Sequence, residues 1–191
     1  DLRQDLTSGH PMNRLLQGDV GSGKTIIAAL GMLILARHNA QSALLAPTSI
    51  LAEQHYQTLL RLLCTEEDRE EPSLAQLQTH QIRLLIGATP EGERREILSG
   101  LASGEIKIIV GTHALLEDPV IFADLQFTVI DEQHRFGVTQ RAALRNKGTN
   151  PHLLVMTATP IPRSLALTVY GDLDLSVMDE LPPGRQEIET Q

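Results

Sequence analysis

The sequence predicts an α/β fold: a mostly parallel β-sheet covered by helices on both faces. Three observations predict it. Short apolar runs alternate with longer helical stretches along the chain, the pattern of strands buried on both faces and joined through crossover helices. One run, Leu15-Leu16, leads directly into Gly18-Asp19-Val20-Gly21-Ser22-Gly23-Lys24-Thr25, a glycine-rich loop of the kind that joins strand to helix around a phosphate. Another, Phe127-Thr128-Val129-Ile130, ends in two adjacent carboxylates, Asp131 and Glu132.

The elements follow in order. Leu15-Leu16 is the first strand, and Lys24 to His38 is the helix behind the glycine loop. Ala43-Leu44-Leu45 is the next strand; after Ala46-Pro47-Thr48-Ser49 a helix runs from about Ile50 to Leu63. The stretch from Cys64 to Gln81 carries Glu66-Glu67-Asp68-Arg69-Glu70-Glu71-Pro72 and no clear period, so it reads as a solvated surface insertion. Ile82 to Ile86 is a strand. A helix then opens at Thr89-Pro90-Glu91, with Thr89 expected as N-cap and Pro90 at the first helical position. Ile106 to Val110, Thr128 to Ile130 and Leu153 to Met156 are further buried strands, and Leu173 to Val177 is a final one. Gln140 to Arg145 and Ser164 to Tyr170 read as short helices.

The glycine loop carries the most specific chemistry. Gly18, Asp19, Val20, Gly21, Ser22, Gly23, Lys24 and Thr25 present successive backbone N–H groups at a helix N-terminus, where the helix dipole favours an anion. Lys24 would reach the β- and γ-phosphates of a nucleotide, and the Thr25 hydroxyl would hold Mg²⁺. Asp131, at the tip of an apolar strand, suits a Mg²⁺ contact, usually through coordinated water. Glu132 beside it suits orientation and deprotonation of an attacking water. A kinase has no need of that second carboxylate, whereas a nucleotide hydrolase does.

Composition narrows the partners. The chain has 191 residues, enough for one large domain or two small ones, and for a sizeable core. Its net charge is −8, from 24 acidic and 16 basic residues, so any binding of DNA rests on local contacts and not on bulk charge. The one cysteine, Cys64, cannot form an internal disulfide and reads as a small hydrophobe; a cytoplasmic setting is expected. The histidines show no zinc spacing. The apolar run Ile26 to Ala36 is too short to span a bilayer, and no membrane association is expected. The chain opens on Asp1 and closes beyond the turn-prone Leu181-Pro182-Pro183-Gly184-Arg185, so it is expected to be part of a longer protein: a domain over residues 1–181, with 64–81 inserted, and a linker over 182–191.

At this level of detail the motifs become distinctive. Met12 through Thr25, Asp131-Glu132-Gln133-His134-Arg135-Phe136-Gly137-Val138 and Met156-Thr157-Ala158-Thr159-Pro160-Ile161-Pro162-Arg163 resemble the RecG branch-migrating DNA helicases of bacteria. Tyr170-Gly171-Asp172-Leu173-Asp174 and Asp179 through Arg185 extend the likeness to most of the chain outside 64–81. The resemblance implies the first RecA-like motor domain of a superfamily 2 helicase, using ATP and Mg²⁺ to remodel branched DNA such as stalled forks and Holliday junctions. It also implies a second RecA-like domain and a DNA-gripping wedge domain elsewhere in the same protein. Pro47 and Thr48 match a motif touching the DNA backbone, as do Gly111, Thr112 and His113; both threonines are equally compatible with helix capping. Gln133 and His134 would link the nucleotide to the coupling motif Thr157-Ala158-Thr159. Arg135, Arg141 and Arg163 are open between ion pairs and specific contacts.

Transcription-repair coupling translocases share Arg135-Phe136-Gly137-Val138 but usually carry Asp-Glu-Glu-His and lack the Pro-Pro-Gly-Arg ending. Gln133 and Pro182-Pro183-Gly184-Arg185 therefore favour the RecG likeness. A double-strand translocase of that kind remains the alternative; a nucleotide-gated binding module is disfavoured by Glu132. Without the second domain's arginine fingers, weak or absent hydrolysis is expected of this stretch alone.

Overall fold

The computed structural model describes residues 9–64, 77–131, 138–159 and 173–178. Seven strands form one sheet: β1 (Asn13–Gly18), β2 (Gln41–Leu45), β3 (Ile82–Leu85), β4 (Ile108–Gly111), β5 (Leu125–Asp131), β6 (His152–Thr157) and β7 (Asp174–Met178). Their spatial order is β3-β4-β2-β5-β6-β1-β7, and every pairing is parallel. Among the described residues four α-helices accompany them: α1 (Lys24–Arg37), α2 (Ser49–Leu63), α3 (Glu91–Ser103) and α4 (Val138–Arg145).

Strand neighbours point to opposite faces, so an unbroken apolar run feeds two cores at once. Leu16, Leu44, Val129 and Leu154 join the core that includes Ala28 and Met32 of α1 and Leu59 and Leu63 of α2. Leu15, Leu45, Ile130 and Val155 join the opposite core with Ile97 and Leu101 of α3 and Leu144 of α4. That is the physical reason these strands lack the apolar–polar alternation of a half-exposed sheet.

Order and register together build the functional edge. β5 and β6 lie between β2 and β1. Leu45 pairs with Ile130, Asp131 with Met156, and Gln17 with Thr157. The carboxyl tips of β1, β2, β5 and β6 therefore end nearly level, where ligands settle in open parallel sheets.

The opposite edge is stapled by a buried amide. Gln41, 1% exposed, donates from Nε2 to the carbonyls of Leu101 (3.0 Å) and Ile106 (2.7 Å). Its Oε1 accepts from the Asp124 N–H at 2.9 Å. One side chain thus ties the end of α3 and the loop after it to the connection between β4 and β5, and it adds to the Gly104 and Ala123 N–H groups that the Leu101 carbonyl already accepts.

One expectation is corrected. Thr89 does not cap α3: its hydroxyl accepts the Ile86 N–H at 3.0 Å, while the Thr89 N–H donates to the Ile86 carbonyl at 3.1 Å. That reciprocal turn engages the side chain, and Pro90 takes the N-cap position with no side-chain cap bond. The described ends of the segment 64–81 are placed on the fold. Cys64 and Leu77 form an isolated parallel bridge, Leu77 is buried, and Thr79–Gln81 is a 3₁₀ turn leading into β3. Residues 65–76, the expected helix 164–170 and the expected linker 182–191 lie outside the described residues.

Candidate nucleotide site and sheet-edge motifs

β1 ends at Gly18 and α1 begins at Lys24. The turn between them uses left-handed backbone at Gly21 (φ 84°) and Gly23 (φ 91°), conformations that a side chain strongly disfavours. Gly23 is the N-cap of α1, so the helix N-terminus opens towards the loop. Lys24 folds back over it: Nζ donates to the carbonyls of Gly18 (2.7 Å) and Asp19 (2.8 Å). The ammonium is thereby held at the mouth of the loop, and an arriving anion meets a charge already in position.

Lys24, Thr25, Val20 and Gly21 line one cleft together with Asp131 of β5, across the intervening β6. Its volume is about 450 Å³. Pro47, Met156 and Ala158 complete the strand-tip side, while Leu51, Gln54 and His55 of α2 form a wall. Asp131 and His55 meet directly, His55 Nε2 to Asp131 Oδ2 at 2.7 Å, with each side chain 12% exposed. A carboxylate only accepts, so Nε2 carries the proton in that bond. Sequence reasoning found Asp131 but missed His55. The available signal was spacing: His55 lies seven residues, about two helical turns, beyond Thr48, so it returns to the face on which the helix starts.

The coupling motif is described through Thr159. Thr157 is 1% exposed at the tip of β6. Its Oγ1 lies 2.9 Å from Thr159 Oγ1 and accepts the Thr159 N–H at 3.2 Å, so the two hydroxyls brace one turn, with Ala158 facing the cleft. Glu132, Gln133 and His134 lie outside the described residues, as do Arg135 and Arg163.

The two remaining motifs sit side by side. Leu45 pairs with Gly111, and the Ala46 N–H donates to the Gly111 carbonyl at 2.9 Å. Thr48 caps α2, accepting the Leu51 N–H at 3.3 Å. Gly111 is required by packing: a Cβ there would lie 2.2 Å from the Leu85 carbonyl oxygen. Thr112 is 3% exposed and makes no side-chain cap; its Oγ1 has no partner among the described residues. His113 is the exposed member of that triplet.

The chain as a whole is similar to known proteins. The family described as DEAD/DEAH box helicase matches residues 4–168. The chain belongs to that family. Among DEAD/DEAH box helicases, it is 52% identical over 190 residues to the ATP-dependent DNA helicase RecG of Thermotoga maritima, covering 100% of this chain and 23% of the relative. The RecG of Synechocystis is likewise 52% identical over 190 residues, covering 100% of this chain and 21% of the relative. A solved structure of RecG bound to a three-way DNA junction superposes with a TM-score of 0.76 at 46% identity, covering 98% of this chain and 24% of that one. The expected likeness to RecG thus holds along the whole chain, and the sheet is the RecA-like fold of this helicase family. The chain spans about a quarter of its relatives' length.

Proposed function

We propose that residues 1–181 are the first ATP-binding motor domain of a cytoplasmic DNA helicase that remodels branched DNA in repair and recombination. The observation that carries this reading is the convergence of Lys24, Thr25 and Asp131 on one cleft of about 450 Å³ at the carboxyl edge of the sheet. Full-length relatives at this identity are ATP-dependent DNA helicases, and the RecG structure with a three-way junction supports branched DNA as substrate. No helix among the described residues is long and apolar enough to cross a membrane.

In this reading the phosphates bind at the Gly21–Gly23 turn, and Lys24 transfers from the Gly18 and Asp19 carbonyls to the phosphate oxygens. The Thr25 hydroxyl and Asp131 carboxylate are hard oxygen donors suited to Mg²⁺. No cluster of three His, Cys, Asp or Glu side chains for a metal exists among the described residues, which fits an ion carried largely by the nucleotide's own phosphates. When bound, Mg²⁺ neutralises charge on the β- and γ-phosphates. Glu132 takes the proton of the attacking water. Gln133 and His134 connect the acidic strand end to the Thr157–Thr159 turn. Pro47, Thr48 and the neighbouring Gly111–His113 turn form a DNA-backbone strip that relies on the Thr48 hydroxyl, the exposed His113 imidazole and backbone amides, the Thr112 hydroxyl being buried, as the acidic composition demands. Residues 182–191 lead towards a second motor domain, which supplies an arginine to the transition state, and a wedge domain grips the junction.

The test is Glu132→Gln in the full-length protein. Its amide keeps the shape of the carboxylate but cannot accept the proton. ATP binding should persist while hydrolysis and fork unwinding nearly vanish. Hydrolysis within a few-fold of the parent would remove Glu132 as the base.

A further inference from the structure

We infer that His55 is a positioning residue for Asp131: its Nε2–H fixes one carboxylate oxygen on α2 so that the other faces the cleft. The inference rests on the nucleotide-site reading above and assigns a role to a residue outside its motifs.

The terminal torsion of an aspartate is soft, with broad rather than sharply staggered preferences. Left alone at a strand tip, the Asp131 carboxylate would sweep a range of orientations. The 2.7 Å contact between His55 Nε2 and Asp131 Oδ2 removes that freedom. Both side chains are 12% exposed, so water competes little for the bond. His55 is itself held from behind. α2 is capped by Thr48 at one end and packed into the core through Ala52, Leu59 and Leu63, so the backbone carrying the imidazole is part of the rigid scaffold.

The contact also selects between the two oxygens. Oδ2 is committed to the imidazole, leaving Oδ1 for a cation or its coordinated water in the cleft shared with Thr25 and Lys24. Hydrogen bonds that orient metal-binding carboxylates typically contribute about 10- to 100-fold in metal affinity. His55 gives the fold a way to set the angle of Asp131 from a helix whose N-cap is the candidate DNA-contacting Thr48.

The experiment uses the full-length protein with Mn²⁺ as probe. Mn²⁺ binding to the ADP complex is titrated by electron paramagnetic resonance, alongside binding of ADP in the presence of a chelator and thermal melting. His55→Ala removes the imidazole, and His55→Phe retains ring bulk without the donor. His55→Gln returns an N–H at comparable reach. Asp131→Asn controls for the site itself.

The expected result is an approximately tenfold weaker Mn²⁺ affinity in His55→Ala and His55→Phe. Metal-free ADP affinity should stay within about twofold, and His55→Gln should recover most of the loss. In steady-state ATPase, the half-saturating Mg²⁺ concentration should rise while kcat at saturating Mg²⁺ largely returns. Unchanged Mn²⁺ affinity in a folded His55→Phe or His55→Ala protein, with Asp131→Asn impaired, would overturn the role of His55 alone. Equal loss in His55→Phe and His55→Gln, accompanied by lower melting temperatures, would overturn it in favour of packing. Unchanged Mn²⁺ affinity in Asp131→Asn would overturn the nucleotide-site reading and this inference with it.

Discussion

Replacing Gln41 by Leu should destabilise the domain at the end of the sheet remote from the cleft. Leucine keeps the bulk of the side chain, so the loss is electrostatic. Three hydrogen bonds disappear: those to the Leu101 and Ile106 carbonyls and that from the Asp124 N–H. With Gln41 only 1% exposed, water cannot readily replace the amide. A net hydrogen bond is worth about 1 kcal/mol, so the three together give an expected loss of about 3 kcal/mol, although the Leu101 carbonyl keeps the Gly104 and Ala123 N–H groups as donors. In urea, with a slope of about 2 kcal/mol per molar, the unfolding midpoint of the 191-residue chain should fall by roughly 1.5 M. Gln126→Ala is the control. Its amide bonds Asp124 Oδ1 in an exposed setting, and its effect should stay within about 0.5 kcal/mol. A midpoint shift for Gln41→Leu no larger than that of the control would refute the claim that this amide staples the end of α3 to the β4–β5 connection.

Two further outcomes are expected. Burial pushes the Cys64 thiol up from its ordinary value, partly offset by a hydrogen bond from Thr79. Alkylation of the folded chain should therefore be slower than that of a free thiol at pH 8, with its rate rising at higher pH than for the unfolded chain. Because the folded state holds this proton more tightly, the associated stability is complete below the ordinary thiol range and is lost as pH rises through the folded value; a rate matching the unfolded chain would contradict the burial argument. Changing Thr157 and Thr159 together to Ala in the full-length protein should leave ATP binding and much of the ATPase intact while fork unwinding falls steeply. Parallel loss of both activities would assign the turn a catalytic or folding role instead.

Much of the architecture was legible because strands buried on both faces announce themselves. Leu15-Leu16, Leu44-Leu45 and Val129-Ile130 each supply one residue to either core, and no surface requirement interrupts the run. The phosphate loop was legible because Gly21 and Gly23 answer a backbone need and Lys24 follows at the helix start. What escaped depended on long-range neighbours. Thr89 and Pro90 together look like a helix start, but the Thr89 hydroxyl is taken by Ile86, a competition that local spacing does not reveal. Thr112 was open between a DNA-backbone contact and a helix cap, yet at the start of the 3₁₀ turn His113–Leu116 it is buried and makes no side-chain cap. His55 and Gln41 meet their partners 76 and up to 83 residues away, so only the sheet order reveals what they do.

The central claim is that the cleft beside Lys24 receives a nucleotide, and Lys24→Ala tests it most directly. The ammonium rests within 2.8 Å of both loop carbonyls, poised at the phosphate position, and its removal leaves only backbone dipoles to offset the anion. Calorimetric titration of the full-length protein with Mg-ATP should give at least tenfold weaker binding, about 1.4 kcal/mol. Superimposable titration curves for variant and parent would contradict the assignment of this loop as the phosphate site.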